Sequence, residues 1–443
     1  MQLFKAFKPN ASHALVLICI FAFPIVYMVV RHTVHLILFT LLLLSIIYFS
    51  QNRQFITLKP DKHLIFYLFM AFASLTLGTI ISQVMRFNFY SPSFDGPIRI
   101  LIAGIVFLYL RKLKISYIRI LEVSIPLGLI TLLVAVQLNT SGHWGNRFAT
   151  YFVDPNTLGS QASIFSVITF LSLRYSSGKS IYLLVLKIIG GLAGIYISIF
   201  AGSRGGWISA LFIIFAAFIL VVSEVSQNKN DSIIKKIRQI IIFTSSVLII
   251  GLGLIFLFDS LVSRTISGVY DIFNWFSGDF INSSAGIRLS IWELSLQFSK
   301  NSLLFGFGEK DIASLIIGTT LDTPVNRLAI DTLVNTGAHS DIISKLLSLG
   351  LVGLLAYFYT LFLPFFVFLS NRYSDNDDIQ QASYMGIYYV IGVFVAGLSN
   401  EQLSLKYLCS FYGLMIAILL AQVLYQPTSK STVGEVDRSK SSV

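Results

Sequence analysis

Long apolar stretches dominate the chain, and short polar connections separate them. A helix needs about 20 apolar residues to cross a bilayer. The segments that fit this pattern are 13–30, 34–50, 64–82, 97–110, 120–138, 157–173, 182–202, 206–222, 240–258, 342–370, 382–398 and 407–425. The pattern therefore predicts an all-α polytopic membrane protein with about twelve transmembrane helices.

The composition agrees with this fold class. The chain has 443 residues, of which 55% are hydrophobic and only 12% are charged, and its mean hydropathy is +0.78. A soluble domain usually carries about 25% charged residues. The net charge of +11 is then better explained by membrane topology than by nucleic-acid binding. The two cysteines, Cys19 and Cys409, both lie in apolar stretches and predict neither a disulfide framework nor a metal cluster.

Basic residues are unevenly distributed between the connections. They concentrate in the N-terminal lead, in every second connection and in the tail, so the positive-inside rule predicts that both ends are cytoplasmic. This topology divides the chain into four parts. We expect the first nine helices in 1–258, a large outer loop in 259–341, the last three helices in 342–425 and a disordered cytoplasmic tail in 426–443.

The outer loop between predicted helices 9 and 10 is too long for a simple connection. It contains Trp275, Trp292 and a pattern that predicts an amphipathic helix near 286–299. Long loops with their own apolar pattern usually carry function. We therefore expect this loop to be partly helical and to hold active-site residues.

Four arginines recur at predicted outer helix ends, where the positive-inside rule disfavours them. Arg204 lies in the glycine turn "FAGSRGGWISA" with no acidic neighbour, and Arg288 lies in "SSAGIRLSIWELSL" of the large loop. Arg147 lies in "GHWGNRF" and Arg99 in "FDGPIRI". A single arginine at a membrane boundary is most often a snorkelling anchor. As a set, these residues offer planar donor groups that suit phosphate oxygens.

A histidine and an aspartate precede predicted helix 10, in "VNTGAHSDII". His339 can exchange a proton near neutral pH, whereas Asp341 either orients His339 or caps the helix. Lys187 and Lys345 lie near helix ends, and we expect them to snorkel. The predicted outer loops contain no Asp-x-Asp cluster, so we expect neither a metal nor another cofactor.

The arrangement resembles the O-antigen ligase family, which shares a core with O-antigen polymerases and protein O-oligosaccharyltransferases. The similarity rests on "SRGGW" with Arg204, "GIRLSIWELSLQFSKNSLLFGFG" with Arg288, and "HSDIISKLLSLGLVGLLAYF" with His339, Gly350 and Gly353. The stretch "FDGPIRILIAGIVFLYL" is similar to the fourth helix of the family. The chain departs from the family where Ser340 replaces the asparagine that often follows the histidine.

This resemblance implies a glycosyltransferase in the bacterial inner membrane with its active site on the periplasmic face. The donor is expected to be a polysaccharide on undecaprenyl diphosphate, and the acceptor a sugar hydroxyl of lipid A–core. Arg204 and Arg288 are expected to bind the diphosphate and His339 to act as catalytic base, with inversion at the anomeric carbon. Arg147, Arg99 and Asp341 are secondary candidates for substrate binding.

Three alternatives remain at this point. A polysaccharide polymerase would use the same lipid-linked donor. A protein O-oligosaccharyltransferase is disfavoured, because those relatives usually carry a sizeable C-terminal domain. A transporter of lipid-linked sugars would need polar residues at mid-membrane depth, and the predicted helices hold almost none.

Overall fold

The described part of the chain is built of helices with short connections and contains no strand. The computed structural model describes residues 11–51, 62–138, 144, 147–176, 180–227, 258–278, 283–309 and 327–425, with isolated positions between 234 and 253. The helices are α1 Ala11–Val26, α2 Thr33–Gln51, α3 Lys62–Met85, α4 Asp95–Leu110, α5 Tyr117–Leu138, α6 Pro155–Leu171, α7 Ile181–Ala201, α8 Arg204–Gln227, α9 Asp259–Phe276, α10 Ser284–Ser299, α11 Arg327–Thr336, α12 Asp341–Asn371, α13 Asp377–Gly397 and α14 Lys406–Val423.

The predicted fold class is confirmed for this part of the chain. Eleven predicted apolar segments coincide with helices. Only isolated positions of the segment 240–258 are described, and the tail 426–443 lies outside the described residues. Nine of the described helices are long and apolar enough to cross a membrane, and α1 and α6 are shorter. The count of twelve, the side on which the ends lie and the division into domains stay predictions.

Helix α14 lies at the centre of the bundle. Every residue from Leu408 to Val423 is buried, which fits a helix that is apolar all round. Small residues allow its close packing: a Cβ at Gly413 would lie 2.7 Å from the Cβ of Ala103 on α4. Without a hydrophobic driving force between helices in lipid, such close approach supplies much of the packing energy.

The two lysines that we expected to snorkel do not. Lys187 is fully buried, and its Nζ lies 2.8 Å from Glu122 Oε1 and 3.1 Å from the carbonyl oxygen of Ser172. Gln381 also donates to Glu122 Oε1 at 2.7 Å. Lys345 is 4% exposed and donates to Ser404 Oγ at 3.1 Å. The prediction was wrong because polar partners from distant parts of the chain stabilise these charges inside the protein.

Helix α12 is split at Gly350, where the backbone is left-handed with φ 68°. The segment 303–308 inserts there. Its carbonyl oxygens at Leu303 and Leu304 accept from the N–H groups of Leu351 and Val352, at 2.8 and 3.3 Å. In return, Phe307 N and Gly308 N donate to the carbonyl oxygens of residues 347 and 348, at 2.9 and 2.8 Å. These are the backbone groups that the helix break leaves unpaired.

Replacement of Gly350 by alanine should disrupt this junction. A Cβ at Gly350 would overlap the main chain of Leu304, and φ 68° is itself unfavourable for alanine. We expect Gly350→Ala to lower the stability by more than about 2 kcal/mol, measured by thermal unfolding in detergent. Gly278→Ala is the control, because Gly278 has φ 87° but no atom of the described residues lies within 4 Å of its would-be Cβ. Equal losses in the two variants would contradict a role for the junction.

Candidate functional site

The site lies at the end of the bundle where α7 meets α8 and α13 meets α14, which we call the site end. Helix α7 finishes at Ala201, and Gly202 continues the chain in the left-handed conformation with φ 62°. The last carbonyl groups of a helix lack intrahelical partners and carry a partial negative charge. The turn at 201–203 therefore attracts cations.

Two arginines bind the carbonyl oxygens of this turn. Arg147 Nε donates to Ala201 O at 2.8 Å, and its Nη2 donates to Asn156 Oδ1 at 2.8 Å. Arg264, on α9, donates from Nη1 to Gly202 O at 3.2 Å. Burial, and then the charge of Arg264, lowers the pKa of Arg147 to about 10. Arg147 thus remains charged at neutral pH, but its donors hold the turn, which does not favour the predicted direct contact with substrate.

Arg204 begins α8 and faces α9. Its Nη1 donates to Asp271 Oδ2 and its Nη2 to Ser267 Oγ, both at 3.2 Å, while 30% of its side chain stays exposed. The sequence around Arg204 shows no acidic neighbour, yet the fold supplies one from 67 residues away. Such a partly exposed pair contributes little to stability, so both groups remain available to a competing ligand.

The glycines beside Arg204 have a packing role that we did not predict. A Cβ at Gly206 would lie 2.8 Å from the carbonyl oxygen of Gly159 on α6, and a Cβ at Gly205 would overlap Ser399 Oγ. Both glycines allow α8 to approach neighbouring elements closely. Only Gly202 makes the sharp turn that the sequence predicts.

Arg288 lies on α10, and among the described residues it forms hydrogen bonds only within its own helix. Its Nη1 binds only its own preceding turn, at Ser284 Oγ (2.9 Å) and Ser284 O (3.4 Å), and its buried Nε has no hydrogen-bond partner within the described ranges. Burial and the nearby charge of Arg204 lower the pKa of Arg288, and Asp154 opposes this effect. An arginine with unsatisfied donors is suited to an anionic ligand.

His339 lies close to Arg288 in a strained backbone conformation. Its φ is 50°, which is uncommon outside glycine, and its Nε2 lies 3.1 Å from Thr336 Oγ1. The preceding residue holds it there: Ala338 N donates to Glu401 Oε1 at 3.0 Å, and Trp292 Nε1 donates to Ala338 O at 3.1 Å. The position of His339 is therefore defined by α10 and by the loop between α13 and α14.

The surroundings of His339 favour the neutral form of its half-buried imidazole. Burial lowers the pKa of His339 below its usual 6.5, and the positive charge of Arg288 lowers it further, while Asp154 has the opposite effect. A neutral imidazole has a lone pair that can accept a proton. Burial and the charge of Arg288 thus favour a form of His339 that can act as a base.

Asp341 neither orients His339 nor caps its own helix. Its side chain is completely buried, and both carboxylate oxygens accept from Gln402 N and Leu403 N at 3.0 to 3.2 Å. Ser340 occupies the N-cap position. The aspartate therefore fixes the loop that carries Glu401, and this enclosure does not fit the predicted contact with substrate.

Arg99 also departs from its predicted place. It lies over the ring of Phe39 at 5.8 Å, and it acts electrostatically on Asp95, His35 and Cys409. It is not among the charges that act on Arg288 or His339. Hydropathy locates Arg99 at the correct helix end but does not give its position around the bundle.

Arg264, Asp271 and Glu401 escaped the sequence analysis although they shape the site. For Arg264 and Asp271, the sequence does contain a recognisable pattern. Arg264, Ser267, Gly268 and Asp271 follow each other at helical spacing, while the other face of α9 is apolar. For Glu401, the sequence alone gives no sign that it reaches residue 338.

Residues 189–358 match the family described as O-antigen ligase. This stretch includes Arg204, Arg264, Arg288 and His339, and its match supports membership of that family, which the resemblance predicted. The chain is also 22% identical, over 355 residues, to an uncharacterized protein of Haemophilus influenzae; the match covers 79% of this chain and 83% of that protein. The family and the apolar helices together indicate a multi-pass membrane protein with an O-antigen ligase or polymerase type of function.

The protonation state of His339 can be measured directly. We expect carbethoxylation by diethyl pyrocarbonate, which needs the neutral ring, to have its pH midpoint below 6.5 at His339. Arg288→Gln should move the midpoint upward, because a repelling positive charge is lost. Mass spectrometry of the peptide that contains His339 gives the readout.

The control for this measurement is Arg119→Gln. Arg119 is exposed and pairs with Asp378, away from the site, so its loss should leave the midpoint unchanged. A wild-type midpoint at or above 6.5 would contradict the electrostatic account.

Proposed function

We propose that the protein is an O-antigen ligase, which transfers a polysaccharide from undecaprenyl diphosphate to a sugar hydroxyl of lipid A–core at the periplasmic face of the inner membrane. The observation that carries this proposal is the cluster of Arg147, Arg204, Arg264 and Arg288 beside His339 at one end of a membrane bundle. The cluster suits a lipid diphosphate.

In this proposal the two groups of residues have separate tasks. Arg204 and Arg288 bind the diphosphate, and Arg147 and Arg264 hold the turn that positions Arg204 and add positive charge. A ring nitrogen of His339 takes the proton from the acceptor hydroxyl. The acceptor oxygen attacks the anomeric carbon as the bond from this carbon to the diphosphate oxygen breaks, and the arginines stabilise the charge that develops on the leaving diphosphate. Attack from the opposite face inverts the configuration.

The acceptor decides between ligase and polymerase. Purified protein in detergent is mixed with undecaprenyl diphosphate-linked glycan, with and without rough lipopolysaccharide. We expect product on lipid A–core only when that acceptor is present. A ladder of longer lipid-linked glycan without acceptor would instead identify a polymerase, and no product from folded protein would favour transport.

Substitution of His339 tests the proposed base. His339→Gln should lower the rate of transfer by about 10²- to 10⁴-fold, with little change in binding of the donor. Arg288→Gln should weaken donor binding, whereas Arg119→Gln should alter neither quantity. Transfer by a folded His339→Gln protein at the wild-type rate would contradict the assignment.

The arginine cluster also predicts how transfer responds to chelation. We expect the rate to persist in EDTA, because guanidinium groups supply the positive charge that a divalent metal supplies in many sugar transferases. Loss of transfer in EDTA and its recovery with Mg²⁺ would show that the arginines do not suffice.

A further inference from the structure

A second cluster of cationic and imidazole groups lies at the site end, where α2, α4 and α14 meet. Arg99 comes from α4, Lys406 begins α14, and His35 lies in the first turn of α2 beside His32. The two imidazole rings are 5.9 Å apart. Arg99, His32 and Lys406 all act electrostatically on His35, so the four groups share one neighbourhood.

Arg99 forms no ion pair in the part of the chain that the structure describes. The nearby carboxylate of Asp95 pairs with Lys406, and that of Glu309 lies 3.1 Å from Ser93 Oγ. Arg99 makes no hydrogen bond within the described part of the chain, and its buried Nε is unsatisfied. Its remaining contact is the Phe39 ring. An unsatisfied guanidinium at a membrane boundary is costly unless a ligand pairs with it.

The imidazoles add directed hydrogen-bond groups. His35 Nδ1 lies 2.8 Å from Ser410 Oγ, which fixes the ring and leaves Nε2 without a partner in the described structure. His32 is exposed and holds a left-handed backbone with φ 68°. Together with Arg99, these rings offer several N–H groups to one acceptor with multiple oxygen atoms.

The surface next to the cluster is apolar and unpartnered. Phe39, Leu43 and Ile47 follow His35 at helical spacing on α2, and their exposed fractions are 45%, 57% and 42%. A stripe of this kind suits a lipid chain that lies along the helix. The cluster therefore has the arrangement of a headgroup site above a chain site.

We propose that Arg99, His35 and His32 bind the phosphate of a membrane lipid, whose acyl chain lies along Phe39, Leu43 and Ile47. The phosphate belongs either to a glycerophospholipid headgroup or to a phosphorylated lipid A. This site is separate from the arginines around His339, and its existence does not depend on the proposed function.

Native mass spectrometry of the purified protein tests this site without turnover. The protein is titrated separately with phosphatidylglycerol, rough lipopolysaccharide and diacylglycerol, which has no phosphate. We expect at least one of the two phosphorylated lipids to bind about tenfold more tightly than diacylglycerol. Arg99→Gln should remove that difference. Arg119→Gln, the same charge change at an exposed position, should keep it.

The choice of lipid then identifies the source of the phosphate. Preference for rough lipopolysaccharide would identify phosphorylated lipid A, and equal binding would identify a general headgroup site. His35→Gln should weaken the same lipid, which provides a second variant if Arg99→Gln fails to fold. Wild-type lipid binding by folded Arg99→Gln and His35→Gln proteins would overturn the proposal, as would tight binding of diacylglycerol.

Discussion

The main-chain hydrogen bonds between segment 303–308 and the break in α12 determine where the rest of the site lies. Within the membrane, a broken helix is tolerated only if other protein groups satisfy its exposed N–H and C=O groups. Here the inserted segment accepts from residues 351 and 352 and donates to residues 347 and 348. Because this segment directly follows α10, the junction also fixes α10, which carries Arg288 and Trp292. Trp292 in turn binds the residue before His339.

Electrostatic repulsion is the second constraint on the site. Several guanidinium groups lie close together, and the neighbouring positive charges lower the pKa values of Arg147 and Arg288. The fold compensates in two ways: the carbonyl groups at the end of α7 accept from Arg147 and Arg264, and Asp271 pairs with Arg204. Arg288 receives the least compensation. The repulsion has a chemical benefit, since the charge of Arg288 helps to keep His339 neutral.

Hydropathy predicts which residues lie at a helix end, but not which residues share a side of the bundle. This is why the helices and the grouping of Arg204, Arg288 and His339 at one end could be predicted, whereas the separation of Arg99 could not. The buried charges show the same limit. Lys187 and Glu122 lie 65 positions apart, and a charge inside an apolar segment looks like an anchor until its distant partner is known. The role of Asp341 was ambiguous because its hydrogen-bond donors are backbone N–H groups, which every residue except proline has.

The pairing of Arg204 with Asp271 has a consequence for which anions can occupy the site. Asp271 is attached to the same chain, so its carboxylate acts as a competitor with a high and constant effective concentration. A singly charged anion that contacts Arg204 alone gains about as much as the carboxylate that it displaces. In the proposed function, a ligand with two linked phosphates contacts Arg204 and Arg288 together and gains from both. The Asp271 carboxylate thus disfavours the binding of small anions at Arg204. Selectivity among anions then arises from competition within the protein as well as from attraction to the ligand.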